Sequence, residues 1–98
     1  MLHIVNKSAS ASNALQSALN HAAEGVVLLI EDAVYAAARG DSANSLLAAA
    51  MPAVPVYALM PDLEARGLAD RVLEGVKCID YDGFVDLVVQ HPNNQSWL

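Results

Sequence analysis

Apolar, β-branched runs recur along the chain at Leu2–Asn6, Val26–Ile30, Val54–Leu59 and Val76–Asp80, each bounded by residues that turn or cap the backbone. Short runs of this kind between turn signals predict buried β-strands. Between them the period changes. Leu15, Ala18, Leu19 and Ala22 fall at helical spacing, with Ser10 or Ser12 placed to cap the first turn and Gly25 to end the segment. A short second helix is predicted from Ala33 to Arg39, stopped by Gly40. A third starts near Ser42, turns Leu46, Leu47 and Ala50 inward, and ends before Pro52. Pro61 suits a first helical turn, so Asp62–Arg66, closed by Gly67, is a fourth. In the last helix Tyr81, Phe84, Val85 and Val88 define the predicted inner face and Asp82, Asp86 and Gln90 the outer one, with His91-Pro92 as the stop.

Strands that alternate with helices predict an α/β fold with a mainly parallel sheet covered on both faces, because each crossover must return over the sheet. Residues 1–98 read as one domain, long enough for one core and too short for two. Ligands of such sheets gather beyond the carboxyl ends of the strands. The positions to inspect are therefore Lys7–Ser12, Glu31-Asp32, Met60–Asp62 and Cys78–Asp82.

Composition sharpens this reading. Hydrophobic residues make up 55% of the chain, and a domain of this size hides only about two-thirds of the surface its unfolded chain exposes. Apolar surface is thus expected to be left over for oligomerisation, with other subunits or with further copies of itself. The formal charge is −6, from 11 carboxylates against 5 lysines and arginines. The cations, Lys7, Arg39, Arg66, Arg71 and Lys77, are scattered singly, which excludes the clustered positive charge that grips nucleic acid or an anionic membrane. No apolar run approaches the roughly 20 residues of a membrane-spanning helix, and the first residues carry no leader pattern. A cytoplasmic location is expected.

Candidate chemistry is sparse. The loop Lys7-Ser8-Ala9-Ser10-Ala11-Ser12 could cradle the phosphate of a flavin or nucleotide at a helix N-terminus, but it lacks the glycines that let phosphate approach the backbone, and serines also simply cap helices. Glu31-Asp32 could be an acid/base pair or half a magnesium site. Neighbours on an extended chain point oppositely, however, and capping the next helix explains Asp32. His3, His21 and His91 lie on different elements without ligand spacing, and His91 suits a helix C-terminus. No cofactor or metal is expected. Cys78, the one cysteine, stands near the end of a strand where a persulfide-forming nucleophile could sit; Glu74, Asp80 and Asp82 outnumber Lys77 around it and oppose thiolate. The tail turns abruptly apolar at Trp97-Leu98, a pattern that marks an anchor, on this domain or on a neighbour.

The segments Leu2-His3-Ile4-Val5-Asn6-Lys7-Ser8, Leu28–Ala37, and Tyr57-Ala58-Leu59 leading into Asp62–Leu68, followed by Ile79-Asp80-Tyr81, Phe84-Val85 and Trp97, resemble the DsrH/TusB family in order and spacing. The resemblance covers almost the whole chain. It implies a single three-layer αβα, flavodoxin-like domain of the DsrE/DsrF/DsrH superfamily, assembled with two related subunits, TusC- and TusD-like or DsrF- and DsrE-like. It further implies a part in sulfur relay, toward 2-thiouridine at the tRNA wobble position in the TusBCD form or in sulfur oxidation in the DsrEFH form. Relatives of the DsrH type that carry a cysteine hold it in the first helix, and Ala18 occupies the matching position here. The resemblance therefore assigns no sulfur-carrying role to Ala18 or to Cys78. Two further readings remain open on the residues alone, a persulfide carrier acting through Cys78 and a small flavin- or nucleotide-binding module.

Overall fold

The computed structural model describes residues 1–22 and 25–97. Five strands, β1 (Leu2–Val5), β2 (Val26–Leu29), β3 (Val56–Leu59), β4 (Lys77–Ile79) and β5 (Asn94–Trp97), form one sheet in the order β4-β3-β2-β1-β5. Every neighbouring pair is parallel. Among the described residues four α-helices, α1 (Ala14–His21), α2 (Asn44–Ala50), α3 (Met60–Ala65) and α4 (Tyr81–Gln90), and a 3-10 helix (Glu31–Ala37) connect them.

The strand order decides the layers. From β1 the chain steps outward to β4 and then returns across the whole sheet to the far side of β1. A crossover of the same hand running in the opposite direction must lie on the opposite face. One face accordingly packs α1, the 3-10 helix, α2 and α3 over Val5, Val27, Leu29, Val56 and Ala58, the larger core. The other face holds Leu2, Val26 and Leu28 under Leu87 of α4, with Ile4, Ile30, Tyr57, Ile79 and Phe84 half-buried around them. The period of two along each strand distributes alternate residues to these two cores. The result is the three-layer αβα, flavodoxin-like arrangement.

Local chemistry fixes the ends. Asp80 accepts the amide of Gly83 at 2.9 Å and caps α4. Gly67 closes α3 at φ +69°, the left-handed conformation that suits glycine at a helix end. Gly25 is buried, and a Cβ there would collide with the Met1 carbonyl that accepts the Val26 amide. Beyond the 3-10 helix, Ala38 bridges Val72 in antiparallel fashion and ties the loop before β4 to the body.

Three expectations need correction. The fifth strand lies in the polar tail, where the sequence pattern predicts none. The second helix is a 3-10 helix that starts at Glu31, directly after β2, and stops at Ala37. In α4, Tyr81, Val85 and Val88 do not face the core. Phe84 and Leu87 do, while Tyr81, Val85, Val88 and Val89 are exposed. With apolar side chains around most of its circumference, α4 offers no unique inner face, and the fit onto Ile79 and Leu28 decides the orientation. Among the described residues no helix is long and apolar enough to cross a membrane.

Candidate functional site

The loops that leave β1 and β2 open a cleft of about 440 Å³ at the carboxyl ends of these strands. Ser8 and Ser10 come from the first loop, Asp32 and Tyr35 from the 3-10 helix, and Asp41 and Ser42 from the turn before α2. The structure thus brings together two of the expected regions, Lys7–Ser12 and Glu31-Asp32. It places Cys78–Asp82 elsewhere, because β4 is the far edge strand.

The polar groups of the cleft are largely committed to the fold. Beside the cleft, Ser12 Oγ accepts the Ala14 amide at 2.9 Å in a local turn ahead of α1, whose N-cap is Asn13 and not the Ser10 or Ser12 expected from the sequence. Ser8 and Ser10 hydroxyls bond to each other at 3.2 Å. Glu31 takes a positive φ of 50°, the one non-glycine residue to do so among those described, and its amide donates to Asp62 Oδ2 at 2.6 Å. Asp32 is not the cap of the following helix. Its Oδ1 accepts both Nε and Nη2 of Arg66, at 3.2 and 3.0 Å, and the same guanidinium lies 6.0 Å from the Tyr35 ring centre. Asp41 Oδ2 accepts the Ala43 amide at 2.9 Å. A lining of two carboxylates and hydroxyls, whose nearest guanidinium is already paired, repels phosphate. No nucleophile is paired with a base there, and among the described residues no three His, Cys, Asp or Glu side chains converge as a metal site.

Cys78 lies on the helix-rich face of β4, half-buried and packed against the larger core. Burial pushes its thiol pKa up, the direction inferred from its acidic neighbours but by desolvation instead. Such a thiol is a poor source of thiolate. Ala18 is fully buried in α1 and contributes only packing.

Trp97 sits on its own fold. Opposite Val5 in the β1–β5 register, it points into the larger core, and its Nε1–H donates to His3 Nδ1 at 3.1 Å. Its ring also meets that of His21, 5.4 Å away between centres, whose Nδ1 bonds the Ser17 carbonyl. Two of the three histidines that look dispersed in sequence, His3 and His21, therefore meet around Trp97. His3 is 3% exposed, and burial first, then the N-terminal ammonium and His21, lower its pKa. Leu98, the other anchor candidate, lies outside the described residues.

Parallel strands, helices on both faces and a cleft over the strand ends define a flavodoxin-like α/β protein. A solved structure of a protein of unknown function from Methanobacterium thermoautotrophicum shares this fold, with a TM-score of 0.75 over 97% of this chain and 95% of that one at 18% identity. The family model described as DsrH like protein matches residues 7–94. Proteins named TusB are similar over most of the chain. That of Pectobacterium parmentieri is 40% identical over 99 residues, spanning 99% of this chain and 100% of its own. That of Escherichia coli K12 is 41% identical over 71 residues, 72% of this chain and 73% of its own, and that of Buchnera aphidicola 34% identical over 98 residues, 99% and 100% of the two. The chain belongs to the DsrH family.

Proposed function

We propose that this chain is the TusB/DsrH-type subunit of a hetero-oligomeric sulfur-relay complex that supports 2-thiolation of the tRNA wobble uridine, and that it completes the assembly without carrying sulfur itself. The full-length similarity to proteins named TusB carries this reading and favours tRNA thiolation over the sulfur-oxidation role of a DsrH-type complex. Persulfide relay proceeds by attack of an acceptor thiolate on the outer sulfur of a donor persulfide, the old S–S bond breaking as the new one forms. Here the one thiol is half-buried and its pKa is raised by desolvation, which disfavours thiolate, and Ala18 replaces the cysteine found in some relatives. The net charge of −6 leaves RNA contact to other subunits and suits a chain that docks onto TusC- and TusD-like proteins in the cytoplasm. Co-expression with those two proteins should yield one complex that stays together through purification. Three proteins that purify separately would refute the proposal.

A further inference from the structure

Among the described residues helix α4 alone covers its face of the sheet, and it is apolar on more than its inner side. At 3.6 residues per turn, Tyr81, Val85, Val88 and Val89 fall on one flank of the helix, continuous with the Phe84–Leu87 stripe that meets the sheet. They are 61%, 60%, 37% and 72% exposed. On the other flank stand Asp82 and Asp86, and Asp80 caps the helix; α4 carries no lysine or arginine. Lys77, which shares this side of the sheet with Ile79, lies 5.4 Å from the Tyr57 ring centre.

We infer that this apolar flank is the docking surface for a different subunit, one that presents an apolar helix or sheet face edged by lysine or arginine. The inference rests on the proposed subunit role and adds the surface and the chemistry of the partner. Charge selects the occupant. A symmetric contact between two copies places the same patch on both sides, so α4 against α4 would bring the Asp82–Asp86 flanks of two chains of charge −6 together. Like charges so placed oppose association, whereas a basic rim neutralises them and speeds encounter. Tyr81, Val85 and Val89 keep most of their surface in water, so that surface is available to a partner.

The test co-expresses this chain with its two TusC- and TusD-like subunits and measures assembly for the wild type and two variants. Val85→Glu/Val89→Glu should keep the wild-type circular dichroism and thermal midpoint, since both positions are exposed, and should weaken assembly by about tenfold or more. Asp82→Lys/Asp86→Lys should slow association and reverse its salt dependence. Wild-type assembly in both variants would overturn the inference while leaving the subunit role intact; a wild type that fails to assemble would instead sink that role. If the valine variant does not fold, the aspartate variant decides alone. Isolated chains that dimerise through α4, shown by a dimer lost in Val85→Glu/Val89→Glu, would overturn the choice of a different subunit as occupant.

Discussion

Trp97 Nε1 donates to Nδ1 of His3 across 3.1 Å, a bond between residues 94 positions apart that fastens the last strand to the first. Beyond its backbone pairing with β1, strand β5 has few side-chain contacts to hold it. Asn94, Gln95 and Ser96 are exposed, and only Trp97 reaches the core.

Replacing Trp97 with alanine should therefore cost about 2–4 kcal/mol, in the range for loss of a large, partly buried aromatic. Trp97→Phe keeps much of the packing but leaves the His3 acceptor unpaired, at about 1–2 kcal/mol. Urea unfolding measures both, and hydrogen exchange should show the β5 amides opening first in the alanine variant.

The same bond sets a pH dependence. Trp97 needs the lone pair of a neutral His3, and burial, the N-terminal ammonium and His21 all disfavour the imidazolium. The folded pKa thus lies below the ordinary value of about 6.5. Between the two values the unfolded chain binds more protons, so stability rises with pH. The His3 contribution is complete above about pH 6.5 and is lost as pH falls through the folded value. His3→Leu should flatten this part of the profile in urea titrations, and an unchanged slope would show that other groups cause it.

Gly83 sets two effects against each other. Alanine at this helical position gains about 1 kcal/mol in propensity, but its Cβ would stand 2.8 Å from Ile79 Cβ, closer than carbon atoms tolerate. Because α4 must lie against the end of β4, the clash should win, with a net loss of about 1–3 kcal/mol. A thermal midpoint above wild type would show that α4 can move away at little cost.

The apolar runs announced β1 to β3 because these strands lie inside a covered sheet, where side chains on both faces avoid water, and β4, at the other edge with Lys77 exposed, was legible from the half-buried Val76, Cys78 and Ile79. Strand β5 escaped notice for the converse reason. It is an edge strand whose Asn94-Gln95-Ser96 side chains remain in water, and its one legible sign was the terminal tryptophan. The inner face of α4 was unreadable because Val85 and Val88 are as apolar as Phe84 and Leu87. Only the strand order showed that a single helix would cover that face. At the cleft, the partner of Asp32 is Arg66, 34 residues away, and the amide of Glu31 answers to Asp62, 31 residues away. Such pairings come from the packing of α3 beside the 3-10 helix, not from any local signal.

The thiol decides between a docking subunit and a sulfur carrier. Cys78 packs against the core with its pKa raised by burial, and Cys78→Ala removes it with little change in volume. The measurement is the 2-thiouridine content of tRNA at the wobble position in cells that lack this chain and are supplied with the wild type or with Cys78→Ala. Loss of the thiolated nucleoside without the chain, and full restoration by both forms, is the expected result. Restoration by the wild type alone, with a stable Cys78→Ala protein present in the complex, would contradict it and make Cys78 a carrier.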